Sequence, residues 1–135
     1  MTTEQPIYYV DSCCIIDLLQ GTPDRIDALK DLFERSYQGQ VHLFTSTLSI
    51  AEVAGLKHKA NPSKTIPIPL DDAYNKLFKN NSLLTLVEPS RFIATEARDL
   101  IRAFLAKGET GLKGADAIHI ASALRVKARV FYTYD

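Results

Sequence analysis

Leu112 to Leu124 reads LKGADAIHIASAL, and the placement of this stretch decides the fold. From Ala115 onward it is apolar nearly all round a helical wheel, with small alanines on several sides. A helix of that kind is normally packed on both sides inside a domain. Yet Asp116 stands at its start, where a bare carboxylate is costly unless paired, capped or bound to a cation. The rest of the chain must supply both the covering layers and a reason for that charge.

Upstream, Ile7-Tyr8-Tyr9-Val10 is a β-branched and aromatic run that reads as a buried strand ending at Asp11. Ser12 to Leu19 reads as a short helix stopped by Gly21 and Pro23. Asp24 to Tyr37 sets Ile26, Leu29, Phe33 and Tyr37 at helical spacing, with Gly39 closing the helix. Val41 to Phe44 is a second strand. Thr45, Ser46, Thr47 and Ser49 then offer N-caps for a helix expected to run to about Ala60. The segment NPSKTIPIPLDD, Asn61 to Asp72, holds three prolines and predicts a mobile excursion before a helix over Ala73 to Lys79. Leu83 to Val87 is a third strand. Ser90 caps a long helix on which Ile93, Ala97, Leu100, Ile101 and Phe104 share a face. The glycine-bracketed loop Gly108 to Gly114 leads into the opening stretch, and Val130 to Thr133 is a fourth strand. Strands alternating with helices predict a three-layer α/β/α sandwich with a central parallel sheet. In such sheets the ligand crevice lies beyond the carboxyl ends of the strands.

Bulk composition narrows the function classes. The 135 residues suit one domain, 1–135, with a core that needs neither disulfides nor structural metal. Lys plus Arg and Asp plus Glu balance at 16 each, so any nucleic-acid contact must come from a local patch or from metal ions. The N-terminus lacks the pattern of a signal peptide, and no segment approaches the ~20 apolar residues of a membrane span. Cys13 and Cys14, adjacent in sequence, are poorly placed to bridge each other and point to a reducing compartment. A cytoplasmic protein with no membrane partner is the expectation.

The carboxylates can then be placed. Asp11 follows the first strand, Glu52 lies in the helix after the second, Asp116 opens the apolar helix, and Asp135 comes just after the fourth strand. All four are expected at one end of the sheet. Their mutual repulsion would raise their pKa values unless divalent cations offset it. Oxygen-only ligands suit Mg²⁺ or Mn²⁺ rather than zinc. Each acid also has a plainer role: Asp116 favouring a helix N-terminus, Glu52 in a Ser49-Ile50-Ala51-Glu52 capping box, Asp11 as a cap, Asp135 in a turn. Four such coincidences at one sheet end are much less likely than any single one, so the constellation outweighs its parts. Asp17 sits inside an apolar helix, where it would pair with a buried donor or edge the site. His119, one turn after Asp116, reads as a helix-surface or packing histidine rather than a ligand. Arg91, Arg98 and Arg102 share a polar helix face, solvated or phosphate-contacting, with Arg98 and Arg102 the substrate-binding candidates. Lys57, Lys59 and Lys64, beside the prolines, either grip a nucleic-acid backbone or keep that segment soluble.

With these residues in view the chain resembles a PIN domain of the VapC-like toxin ribonucleases of toxin–antitoxin pairs. The motifs that carry the resemblance are YYVDSCCIIDLL with Asp11, TSTLSIAEV with Glu52, GADAIHIASAL with Asp116, and VFYTYD with Thr133 and Asp135. It spans essentially the whole chain, and the third motif is the most specific. The resemblance implies an acidic pocket of the three aspartates and Glu52 for Mg²⁺ or Mn²⁺, with Ser12 as a hydroxyl lining it. Cys13 and Tyr134 stand where many members have Asn. A further strand or helix usually follows the last motif. None follows Asp135 here, so the C-terminal element is expected to be missing and Asp135 poorly ordered.

The implied reaction is endonucleolytic hydrolysis of RNA phosphodiester bonds. Asp11, Asp116 and Asp135 would be the metal ligands, and Glu52 would complete the cluster as a ligand or by orienting water. Ser12 and Thr133 would position water or a ligand carboxylate. The implied partners are an RNA substrate and a small antitoxin protein, and a homodimer is compatible with them. Two rivals stand beside this. A phosphatase using Asp11 as nucleophile commonly carries a second Asp two residues on, where this chain has Cys13. A non-catalytic PIN-like module that binds RNA or protein would keep the fold without the chemistry. A nucleotide-binding domain is disfavoured, since no Gly-rich phosphate loop follows the first strand.

Overall fold

The computed structural model describes residues 5–54 and 68–134. In chain order its elements are β1 (Ile7–Val10), α1 (Ser12–Gln20), α2 (Ile26–Tyr37), β2 (His42–Ser46), α3 (Leu48–Glu52), α4 (Ile68–Lys79), β3 (Thr85–Val87), α5 (Arg91–Ala106), α6 (Gly114–Arg125) and β4 (Val130–Tyr132). The strands form one parallel sheet in the order β3-β2-β1-β4. Helices cover both faces, as the alternating pattern predicts.

Register decides which side chains meet. Tyr9 lies level with Phe44 on β2 and Phe131 on β4, and Tyr8 with Leu43 and Val130. Because successive strand residues point to opposite faces, Tyr8, Val10, Leu43 and Tyr132 share one face. Tyr9, Phe44 and Phe131 share the other, where the Tyr9 and Phe131 rings stack 5.3 Å apart.

The first face packs a large-residue core. Val10, Ile15, Leu29, Phe33, Leu43 and Leu84 are buried there, joined by Tyr74, Leu77 and Phe78 of α4. Each fully buried aliphatic of that size contributes about 1.5–3 kcal/mol. The second face is covered by α5 and α6, whose contact is built on Ile93, Ala97, Ala117 and Ala121. Alanines at the crossing let the two helix backbones approach closely.

Local signals set most boundaries. Asp11 is the N-cap of α1, its carboxylate accepting from the Cys14 amide at 3.3 Å. Gly21 ends the helix at φ +67°, the left-handed conformation that glycine adopts without steric cost. Ser90 caps α5 by accepting from the Ile93 amide at 3.3 Å.

Three expectations are corrected, and one alternative falls. The first helix after β2 ends at Glu52 instead of continuing toward Ala60: Val53 turns its amide back to Ser49, and Ala54 bonds Ala51 in the tighter i−3 pattern. The capping box does not form there, because the Ser49 hydroxyl pairs with Thr45 at 2.7 Å while Ser46 accepts from the Leu48 amide. Helix α4 begins at Ile68, inside the proline segment, since Pro69 falls in the first turn where a missing N–H costs nothing. Tyr37 is 77% exposed; the buried stripe of α2 runs through Leu29, Leu32, Phe33 and Ser36 instead. The remainder of the expected excursion, with Lys57, Lys59 and Lys64, lies outside the described residues.

Candidate active site

β1 aims its last residues at the carboxyl end of the sheet, and Asp11 follows at once. As the N-cap of α1 it is held by the Cys14 amide and is buried, 7% exposed. Asp116 lies in the first turn of α6, where the helix dipole favours a negative charge, and is exposed to solvent. Both acids line one crevice of about 290 Å³, and Thr133, just past β4, lines it with them. Leu112, Ile120 and Phe131 supply its apolar wall. The crevice therefore sits where a parallel sheet presents its ligand site.

The helix that carries Asp116 is not covered all round, contrary to its sequence pattern. Ala117, His119, Ala121, Ser122 and Ala123 are buried, but Leu124 is 61% exposed. Among the described residues its main packing partners are α5 and β2, and Leu124 stands on an outer apolar flank. Asp116 thus needs no buried partner; its setting is the rim of the crevice.

His119 is a packing histidine and not a helix-surface one, with partners that its local sequence does not show. It is 3% exposed and lines the crevice. Its Nδ1 lies 2.7 Å from the Tyr9 hydroxyl and its Nε2 lies 2.5 Å from Oε1 of Glu52. Burial pushes the Tyr9 phenol well above its ordinary pKa, with the Ser122 hydroxyl partly opposing that shift. Glu52 accordingly meets His119 and does not itself line the crevice. The signals available in sequence were a phenol in a buried strand, which needs a partner, and a histidine on the inner side of an apolar helix.

The donor set can be tested against a cation. Asp11 and Asp116 offer hard carboxylate oxygens and Thr133 is beside them, while both ring nitrogens of His119 are engaged elsewhere. Oxygen donors without an available imidazole fit Mg²⁺ or Mn²⁺ better than zinc. Among the described residues no group of three or more His, Cys, Asp or Glu is arranged to hold an ion. Asp135, the third ligand expected from sequence, lies outside them, and so does its expected disorder.

The PIN domain family model matches residues 8–135. The chain belongs to the PIN-domain family. PIN domains generally use a divalent metal, Mg²⁺ or Mn²⁺. A chain in the crystal structure of VapBC2 from Rickettsia felis, bound to a DNA fragment from their promoter, superposes with a TM-score of 0.68 at 16% sequence identity. The match covers 95% of this chain and 87% of that one, and at such identity the likeness is one of fold. No curated protein matches the sequence.

The other candidates fall around this PIN-domain crevice. Ser12 is buried as the first residue of α1, next to Asp11. Asp17 is paired, accepting from Thr22 Oγ1 and from Arg25, each at 2.8 Å. The Arg25 guanidinium also lies 4.2 Å from the centre of the Tyr134 ring, so the position that departs from the family pattern packs against that ion pair. Arg91, Arg98 and Arg102 are exposed on α5 and do not line the crevice. Cys13 and Cys14 are both buried, and burial with the adjacent Asp11 charge pushes the Cys14 thiol up, away from a reactive thiolate. No helix among the described residues is long and apolar enough to cross a membrane.

Proposed function

We propose that residues 1–135 form one nuclease domain that hydrolyses RNA phosphodiester bonds with Mg²⁺ or Mn²⁺, as the toxin of a cytoplasmic toxin–antitoxin pair. The observation that carries this reading is the pairing of Asp11 and Asp116 on one crevice at the carboxyl end of a PIN-domain sheet. VapC-type PIN domains are generally nucleases, and the shared fold with a VapBC2 chain supports the toxin assignment.

Asp11 and Asp116 would hold the metal, with Asp135 as third ligand. When bound, such an ion polarises a phosphoryl oxygen and lowers the pKa of a coordinated water. The chain's own residues do the rest. The N-cap bond from Cys14 fixes the Asp11 carboxylate before substrate arrives, so little reorganisation is needed. Glu52, held against the crevice residue His119, would complete the cluster as a ligand or by orienting water. Ser12 and Thr133 would orient water or a carboxylate by their hydroxyls. The apolar wall of Leu112, Ile120 and Phe131 would limit bulk water at the scissile bond. Arg98 and Arg102, away from the crevice, would meet phosphates further along a bound strand.

The partner is expected to be a small antitoxin that lays an amphipathic segment over the crevice. Two measurements test the reading. Purified protein should cleave RNA with Mg²⁺ or Mn²⁺ and stop with EDTA, and Asp116→Asn should abolish cleavage while keeping the parental circular dichroism. Cleavage by Asp116→Asn at the parental rate would overturn the metal mechanism. Expression without a partner should arrest growth, and normal growth during accumulation of active, soluble protein would overturn the toxin assignment.

A further inference from the structure

We propose that His119 is a positioning residue, locked by Tyr9 so that its imidazole fixes the carboxylate of Glu52 for work at the crevice. The inference rests on the nuclease reading above and names how one of its acids is held. Three elements contribute one residue each. Tyr9 comes from β1, two residues before Asp11. His119 comes from α6, three residues after Asp116. Glu52 is the last residue of α3. The bond chain is therefore built on the two elements that carry the crevice acids, and it ties the third to them.

The hydrogens can be assigned from the partners alone. The Glu52 carboxylate can only accept, so Nε2 of His119 must carry a hydrogen and donate across the 2.5 Å contact. A neutral ring then leaves Nδ1 as an acceptor, and the Tyr9 hydroxyl, 2.7 Å away, donates to it. The opposite tautomer would set a nitrogen lone pair against a carboxylate oxygen. The first arrangement satisfies all three groups, and among the described residues no buried side-chain N or O lacks a partner. Tyr9 is fully buried and its ring is wedged against Phe131, so the phenol cannot turn away. The imidazole inherits that rigidity.

Glu52 needs such a tether. It closes a helix of only five residues, and its side chain is 28% exposed. An untethered carboxylate there would sample several rotamers and stay beside His119, which lines the crevice, only part of the time. With Oε1 committed to His119, Oε2 would be the atom left to meet water or an ion. Buried partners of this kind typically change activity about 10- to 100-fold when removed.

The test is a double-mutant cycle on RNA cleavage with Mg²⁺, using His119→Leu, Glu52→Gln and the double variant. His119→Leu should lower kcat about 10- to 100-fold with KM changed less than about two-fold. His119→Gln, whose side-chain amide can still donate to Glu52, should recover most of the rate. The double variant should be no slower than Glu52→Gln alone, because His119 acts only through Glu52. Multiplying losses, or a parental rate in His119→Leu, would overturn the proposal. If His119→Leu does not fold, Tyr9→Phe serves in its place, with a smaller kcat loss that vanishes in the Glu52→Gln background. Should the parent cleave no RNA at all, the nuclease reading fails by itself. The tether is then read by ¹⁵N NMR: an Nε2–H tautomer of His119 whose proton shifts on Glu52→Gln supports it, and an Nδ1–H tautomer overturns it.

Discussion

The two faces of the sheet are built from different materials. Toward α1, α2 and α4 the filling is large and apolar, from Leu29 and Phe33 to Leu43 and Phe78. Toward α6 the buried filling is Ile93 with three alanines, plus a buried polar chain running from Tyr9 through His119 to Glu52. Apolar burial is non-directional and sums with area. A satisfied polar network adds less net stability but admits a single arrangement. The first face makes the fold stable, and the second fixes where the carboxylates of the candidate site stand.

That division can be broken by the right substitutions. The largest expected effect is on activity at the crevice. Asp116→Asn should lower cleavage at least about 100-fold, since even a residue that only supports a metal ligand is worth 10- to 100-fold. Asp116 is exposed, so the melting temperature should move by little. A large drop in melting temperature would mean that Asp116 holds the fold and not only the site.

Leu43→Ala is the counterpart on the apolar face. Leu43 is fully buried on β2, and its truncation should cost about 2–5 kcal/mol by denaturant unfolding. The kcat of the molecules that remain folded should stay near parental. A smaller stability loss follows from Ala121→Leu, which overfills the α5–α6 contact by about 1–3 kcal/mol. It should also lower kcat, because it displaces the helix that carries Asp116 and His119. If Ala121→Leu affected stability alone, the two faces would not divide their roles as described.

Much of this was legible in the sequence, and the reason is locality. The run at Ile7–Val10, the glycine at 21 and the Ser90 cap each act within a few residues, so pattern reading recovers the parallel sandwich and puts Asp11 and Asp116 at the correct sheet end. Glu52 is legible only in part, for the opposite reason. Its local pattern is a capping box, but the bond to His119, 67 residues away, takes the carboxylate instead. Tyr9 and His119 are 110 residues apart, and no local rule pairs them. Pro69 misled because a proline run was taken as irregular throughout, although its last member suits the first turn of α4.

The smallest effect at neutral pH distinguishes two buried tyrosines, one on each face. Tyr74 belongs to the apolar core and receives a 3.4 Å hydrogen bond from the half-buried Gln20. Tyr74→Phe should therefore change stability by less than about 1 kcal/mol, because the freed amide can turn to water. Tyr9→Phe strands His119 Nδ1 in the interior and should cost roughly 1–2 kcal/mol. Burial raises both phenol pKa values above the ordinary ~10. The sign follows from proton binding. Above pH ~10 the unfolded chain loses these protons while the folded chain keeps them, so the stability they confer is intact below pH ~10 and declines as pH rises toward the folded values. Each phenol contributes at most about 1.4 kcal/mol per pH unit to that decline. Unfolding curves from pH 9 to 11 should thus fall less steeply in either Phe variant than in the parent, while only Tyr9→Phe starts from a lower plateau. Equal plateaus at neutral pH would mean that His119 does not depend on Tyr9, and the polar face would lose the rigidity assigned to it.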